Sequence, residues 1–164
     1  MEKQSSTNIV MNNIYSFYGQ ENSKLKSLRA IAKYINDPNI SLNILKNWSS
    51  GRSSPSLQQL ELLGYYMSIH PSKLVTNEVV FSVGDNMIWK DNIVNVFYSN
   101  FERFDRQKTI FSKYYKEELM TYRSYRECLL RRKNSINLNK IDKIAEILGI
   151  TTADLLEVDN EKKD

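Results

Sequence analysis

The feature that most constrains this chain is a degenerate internal repeat, in which the order of apolar residues in the first half recurs in the second half. When the later part of the 164-residue sequence is moved back by 81 positions, Ile141 falls on Leu60 and Leu155 falls on Leu74. The apolar residues between these positions match in the same order, and further upstream, where Phe111 meets Ile31, the shift becomes 80. Stacked repeat proteins need three or more units, so two copies indicate a duplication. The chain is therefore expected to fold as two related blocks.

Both blocks have the periodicity of amphipathic helices. Apolar residues recur at i, i+3, i+4 and i+7, as in Leu28, Ile31, Ala32 and Ile35, and this spacing places them on one helix face. The pattern predicts an all-α protein with four to five short helices in each block. In the first block the helices are expected near 9–20, 27–36, 41–49, 56–67 and 71–76. In the second block they are expected near 92–105, 107–115, 121–130, 137–148 and 152–157.

Residues that begin and end helices support these boundaries. Pro38 is expected to separate the second helix from the third, because proline interrupts the helical hydrogen-bond pattern. Short polar side chains cap helix N-termini, and glycine adopts the left-handed conformation that often ends a helix. The predicted N-caps are Ser41, Ser56, Asn137 and Thr151, and the predicted terminating glycines are Gly51 and Gly149.

Charge and composition set the domain organisation. We expect a first domain at 1–77, a partly apolar linker at 78–91, a second domain at 92–158 and a polar tail at 159–164. Lys and Arg exceed Asp and Glu by 4 over 1–77 and by 3 over 93–158, whereas 78–92 carries a net charge of −2. Two basic units therefore flank an acidic connector, which favours an anionic partner such as nucleic acid.

Several classes of protein are not expected from this sequence. No apolar run reaches the roughly 18–20 residues that cross a bilayer, and the first ten residues lack the apolar centre of a signal peptide. A cytoplasmic location with no membrane partner follows as the default. Cys128 is the only cysteine and His70 the only histidine, so neither an internal disulfide nor a metal or cofactor site can be assembled. No nucleophile with a plausible base is recognisable, and an enzyme is not expected.

Two stretches of the chain resemble a known family. The first runs from Asn47 through Gly51, Pro55 and Ser56 to Leu74, and the second runs from Ile141 to Leu156. Both are similar to the Cro/phage-repressor (XRE) helix-turn-helix family, in which a long apolar helix and a short last helix follow the recognition helix. The resemblance covers roughly 9–76 and 92–157. It implies two tandem lambda-repressor-like helix-turn-helix domains.

The resemblance also implies a function, namely sequence-specific binding of double-stranded DNA. The expected role is transcriptional regulation, as a repressor of phage or mobile-element type. Contacts to phosphates would supply affinity, and recognition helices would read the bases. Three arrangements remain open: one chain reading two half-sites, a homodimer displaying four units, or one block specialised for dimerisation or for a protein partner.

In the first block the predicted recognition helix is the third one. Its predicted DNA-contacting residues are Ser41, Asn43, Lys46 and Asn47, with Arg52 and the helix start at Ser56 on phosphates. An asparagine amide pairs with the N6 and N7 atoms of adenine, and lysine suits guanine or phosphate. Trp48 and either Ile44 or Leu45 are expected to anchor the helix in the core. An ordinary surface helix remains the alternative interpretation.

In the second block the predicted recognition helix is more basic. The residues predicted to face out toward the DNA are Arg123, Ser124, Arg126 and Glu127, with Tyr122 at the edge. Arg131, Arg132 and Lys133 are predicted to hold the DNA backbone. Arginine paired with guanine is the commonest specific contact, which is why Arg123 and Arg126 are favoured. Tyr125 and Leu129 are the expected anchors. A solvated basic helix or a protein-facing surface remains the alternative here.

A rival hypothesis from another class is a protein-binding module on the same scaffold, such as an antirepressor or an inhibitor of a host defence nuclease. Two departures from the family pattern favour it. The turns at 36–39 and 116–119 are longer than usual, and Arg132 takes the place of Gly51 in the second block. The tyrosines, which could also stack on single-stranded nucleic acid, are instead expected at core or edge positions, as at Tyr34, Tyr65 and Tyr66.

Overall fold

A computed structural model describes residues 4–21, 25–77, 92–107, 123 and 136–158. The first block contains α1 (Ser6–Glu21), α2 (Leu28–Ile35), a 3-10 helix (Pro38–Ile40), α3 (Leu42–Ser50), α4 (Leu57–Met67) and α5 (Pro71–Leu74). The second block contains α6 (Ile93–Gln107), α7 (Leu138–Leu148) and α8 (Thr152–Leu156). Within these residues the protein is all-α, as expected. The predicted linker, the helix near 107–115 beyond residue 107, and the tail lie outside the described residues.

The predicted N-caps and terminating glycines are confirmed, whereas α1 begins at Ser6, three residues before its predicted start, and α5 ends at Leu74, two residues before its predicted end. Each predicted N-cap side chain accepts a hydrogen bond from a backbone N–H three residues later; these caps are Ser41, Ser56, Asn137 and Thr151. Gly51 ends α3 with φ of 78°, and Gly149 ends α7 with φ of 70°. These positive angles suit glycine because it has no Cβ. The local signals in the sequence were therefore sufficient to locate α3, α4 and α7.

The connection between α2 and α3 is more structured than the sequence indicated. Asn36 ends α2 in the left-handed conformation, with φ of 54°. Asp37 then caps the 3-10 helix that begins at Pro38, and its carboxylate accepts from the backbone N–H of Asn39 at 2.8 Å. Ile40 at the end of this helix is completely buried. The long turn is thus an anchored helical turn.

The two blocks share one hydrophobic core. Leu57 and Leu60 on α4, Ile93 on α6 and Ile141 on α7 are all fully buried in the same cluster. Helix α4 packs on both α5 and α6, and α8 packs on α5, α6 and α7. The duplication is therefore folded back on itself, with each block covering the other.

The contact between the blocks is reciprocal where the chain enters α4 and α7. An isolated antiparallel bridge joins Ser56 to Asn137. The backbone N–H of Leu57 donates to the carbonyl of Ile136 at 3.0 Å, and the N–H of Leu138 donates to the carbonyl of Pro55 at 2.9 Å. The 81-residue shift converts either bond into the other. Such exchange is the property of a two-fold axis, which must pass between these segments.

Two further contacts between the blocks are reciprocal in the same way. The Glu61 carboxylate on α4 accepts from the backbone N–H of Ile93, the first residue of α6, at 2.8 Å. The Asp142 carboxylate on α7 accepts from the backbone N–H of Ser6, the first residue of α1, at 3.0 Å. Each block therefore satisfies an unpaired N–H at the start of the other block's first helix, with a negative charge at the positive end of the helix dipole.

A pair of buried asparagines completes the symmetry. The side-chain amide of Asn13 on α1 donates to the carbonyls of Leu74 and Thr76, at 2.8 and 3.1 Å. The amide of Asn100 on α6 donates to the carbonyls of Leu155 and Glu157, at 2.9 and 2.6 Å. Each asparagine ties the first helix of its block to the end of the short last helix. The first helices of the two blocks are therefore related by a shift of 87 residues, from Asn13 to Asn100. This shift differs from the shifts of 80 and 81 that the sequence alone indicates.

Candidate nucleic-acid interface

Helix α3 separates a buried face from a polar face. Leu45 is fully buried and Trp48 is 1% exposed, so they are the anchors, whereas Ile44 is partly buried. Asn43 and Lys46 are exposed. Asn47 is half-buried, and it lies four residues after Asn43 on the same side of the helix.

The surrounding chain holds α3 at both ends. Its sides pack on α1 and α2. The hydroxyl of Ser41 accepts from the N–H of Ile44 at 3.3 Å, so this side chain acts as the N-cap. At the other end the carbonyl of Asn47 accepts from the N–H of Arg52 at 3.0 Å. Arg52 itself is exposed immediately after the helix. The polar face is consequently presented from a fixed frame and not from a loose loop.

The start of α4 lies beside this frame. Ser56 and Gln59 form a capping box, in which each side chain accepts from the other residue's backbone N–H. The Gln59 amide also donates to the carbonyl of Asn39 at 3.1 Å. This bond connects α4 to the 3-10 helix and keeps the entry to α3 in place. Ser41, Asn43, Lys46, Asn47, Arg52 and Ser56 thus lie along one continuous stretch around α3.

Sequence reasoning missed three exposed cations near this surface. Lys26 precedes α2, and Arg29 and Lys33 are on it, at positions separated by three and four residues. Because α2 packs on α3, Arg29 and Lys33 lie on the helix that neighbours the one carrying Lys46. Their helical spacing was the available signal. A surface of this kind suits phosphates.

One acid interrupts the basic region at its edge. Asp37 accepts a hydrogen bond from the Tyr66 hydroxyl. This bond, followed by the bond from the Asn39 backbone, lowers the pKa of Asp37. The same bond raises the pKa of Tyr66. The pair keeps a negative charge near the end of α2, which limits the positive region on that side.

Three of the tyrosines are exposed at the surface. Tyr34, Tyr65 and Tyr66 are 58%, 52% and 42% exposed. None of the three lies in the core, where Ile31 of α2 and Leu63 of α4 are fully buried, so of the predicted core and edge positions they occupy the edge. Tyr34 retains an edge contact with the buried Tyr18 ring, whose centroid is 5.9 Å away.

The second block contributes one described residue of its predicted interface. Arg123 is helical and exposed. The predicted contacts Tyr122, Ser124, Arg126, Arg131, Arg132 and Lys133 lie outside the described residues, as do the anchors Tyr125 and Leu129.

The described part of the chain offers neither a metal-binding cluster nor a membrane-spanning helix. No group of three or more His, Cys, Asp or Glu residues there could hold a metal ion. None of the helices described is both long and apolar enough to cross a bilayer. No protein-family model, curated protein or solved structure matches the chain.

Proposed function

We propose that the protein binds double-stranded DNA in a sequence-specific way and regulates transcription, with α2 and α3 acting as a helix-turn-helix unit. The observation that carries this proposal is the arrangement of α3. Its buried face is fixed by Leu45 and Trp48, and its opposite face presents Asn43 and Lys46 to solvent. A helix held in this way can enter the major groove with its polar side chains at the base edges.

Charge around α3 supports the same proposal. Arg29 and Lys33 on α2 and Arg52 after α3 are exposed cations on adjoining elements. In helix-turn-helix proteins the helix before the recognition helix crosses the DNA backbone. These cations would hold phosphates and set the position of α3, while Asn43 would discriminate adenine.

The test is selection of bound duplexes from a random pool, followed by titration of the enriched sequence. Asn43→Ala should weaken specific binding by about 1–3 kcal/mol, which is the value of a bidentate base contact. Asn95→Ala is the matched control, because Asn95 is an exposed asparagine on α6. Equal affinities of the two variants, with intact circular dichroism, would refute the assignment of α3.

The phosphate contacts require a separate measurement. Arg52→Ala should weaken binding to all sequences and lower the slope of log affinity against log salt by about 1. Lys73→Ala removes an exposed cation on α5 and should leave that slope unchanged. An unchanged slope for Arg52→Ala would remove that residue from the interface.

A second candidate function, the protein-binding module, is favoured by one observation. The 3-10 helix of Pro38–Ile40 adjoins the N-terminal end of α3, where groove-binding helices need clearance. Such a module would bind its partner through this end of the block. Enrichment of no DNA motif, together with capture of a protein that depends on Asn39 and Asn43, would favour it over DNA binding.

A further inference from the structure

We propose that a single chain binds DNA as an internal dimer, and that its site is an inverted repeat of two chemically unlike half-sites at a fixed spacing. This inference rests on the proposed function and specifies its substrate.

The direction of the two half-sites follows from the exchange of contacts. Glu61 of the first block contacts the start of α6 in the second block, and Asp142 of the second block contacts the start of α1 in the first block. The two contacts are therefore reciprocal. A head-to-tail arrangement would provide one of these contacts without its counterpart. In blocks related by a two-fold axis, α3 and the recognition helix that the sequence predicts near 121–130 would run in opposite directions along the DNA. A site read by such a pair is an inverted repeat, not a direct repeat.

The fixed spacing follows from the interface. Leu57 and Leu138, whose backbones make the reciprocal bonds near the axis, are both fully buried. The Ser54 hydroxyl accepts from the N–H of Asn139 at 3.2 Å across the same junction. Since this contact is packed as a core, the blocks cannot slide relative to one another without breaking it. The distance between half-sites is therefore set by the fold and not by the length of the connecting chain.

The same packing explains why a second chain is not required. The starts of α1 and α6 and the short helices α5 and α8 form the surface by which one block meets the other. In a homodimer this surface would be offered to another copy. Here it is already covered within the chain. One molecule can therefore occupy both half-sites.

The half-sites should differ because the reading residues differ. A shift of 80 places Arg123 at the position of Asn43, and the shift of 81 that aligns Arg132 with Gly51 places Ser124 there, so neither alignment puts an asparagine at this position of the second block. Asn43 and Arg123 are both helical and exposed. Asparagine selects adenine and arginine selects guanine. One half-site is thus expected to require an A·T pair where the other requires a G·C pair.

The experiment begins with the full chain and the inverted repeat enriched from a random pool. Affinity is measured for that duplex, for the same half-sites as a direct repeat, and for inverted repeats with about 2 or about 10 inserted base pairs. An insertion of about 10 base pairs restores the helical face but adds one turn of length. The mass of each complex gives the number of chains bound.

A fixed internal dimer predicts one chain per duplex and at least about tenfold weaker binding to all three altered duplexes. Recovery of affinity with the full-turn insertion would show a flexible tether and overturn the inference. Two chains per duplex, or a preference for the direct repeat, would also overturn it while leaving sequence-specific DNA binding intact. Absence of any enriched motif would instead overturn the proposed function.

Two variants test the unlike half-sites. Asn43→Ala should relax the base preference in one half-site and Arg123→Ala in the other, with a loss of about 5- to 150-fold for the preferred base. Both residues are exposed, and circular dichroism checks that each variant is folded. Relaxation of the same half-site by both variants would contradict the assignment.

Discussion

The carboxylate of Asp142 provides the sharpest test of how the blocks are joined. Asp142 lies on α7, yet it accepts from both the N–H and the hydroxyl of Ser6, which begins α1. It also accepts from the Thr152 hydroxyl at 2.6 Å. Ser6 is 6% exposed and Thr152 is 7% exposed. Asp142→Ala would leave the Ser6 N–H and hydroxyl and the Thr152 hydroxyl without this acceptor.

The expected loss can be worked out from these bonds. A hydrogen bond to a charged group contributes a net of about 1.5–3 kcal/mol. The lower value applies because the Asp142 carboxylate is half-buried, and its two bonds from Ser6 then amount to about 3 kcal/mol. Ser6, Asp142 and Thr152 all line an open cleft of about 380 Å³, so water can replace part of what the carboxylate contributes, and the third bond, from Thr152, is therefore not added to this sum. The loss is a large share of a typical stability of about 5–15 kcal/mol.

The assay is urea unfolding followed by circular dichroism, with Glu146→Ala as the matched control. Glu146 is an exposed carboxylate one turn further along α7, so both variants lose one negative charge from the same helix. Asp142→Ala should unfold with a free energy about 3 kcal/mol lower than that of Glu146→Ala. A difference below about 0.5 kcal/mol, the range of ordinary surface substitutions, would refute the role assigned to the Asp142 contact.

Three further predictions concern the frame of the first block. Trp48→Ala should lower the free energy of unfolding by about 3–5 kcal/mol, because Trp48 is 1% exposed beneath α3; a loss under about 1 kcal/mol in urea unfolding would contradict its role as an anchor. Gly51→Ala should destabilise by about 1 kcal/mol through its positive φ alone, since no atom lies within 4 Å of an added Cβ. Gly19→Ala, where an added Cβ is equally unobstructed within α1, should stabilise the protein by up to about 1 kcal/mol. If thermal melts show that both glycine variants shift the melting temperature in the same direction, the two predictions are refuted. The His70 Nδ1 accepts from the N–H of Ser72 as an N-cap, and burial, followed by Lys73, lowers the pKa of His70 from 6.5. The neutral form is therefore favoured by folding, so its contribution is full above pH 6.5 and is lost as pH falls through the lowered pKa. His70→Asn keeps a capping side chain that does not titrate. If stability depends on pH between about 7 and 5 in the same way for this variant and for the unaltered protein, the role assigned to His70 is contradicted.

Much of the local structure could be predicted because its signals are local. Ser41 and Gly51 delimit α3 through bonds that span three or four residues, and these residues are adjacent to the helix they end. The anchors Leu45 and Trp48 follow from helical spacing. By contrast, the sequence predicts only a turn where Pro38–Ile40 form a 3-10 helix, because proline indicates a break in a helix but not the conformation that follows.

The candidate surface was predictable in part for the same reason. Asn43 and Lys46 face solvent because they lie opposite Leu45 and Trp48 on the helix. The cations of α2 were not recognised, because their relevance depends on which helix α2 packs against. The exposure of Tyr34 likewise depends on tertiary packing, since an aromatic residue at an edge of the helical face fits either a core or a surface position.

The sequence by itself determined that the described part of this chain is helical and where its best-capped helices begin and end, and it predicted two related blocks. These properties depend on side chains within a few residues of one another and on the periodicity that they repeat. Only the tertiary structure decided that the blocks face each other across a two-fold axis. The bond between Ser6 and Asp142 joins residues 136 positions apart, and no local pattern indicates such a partner. The arrangement arises because each block leaves apolar surface and unpaired helix ends that the other block can cover.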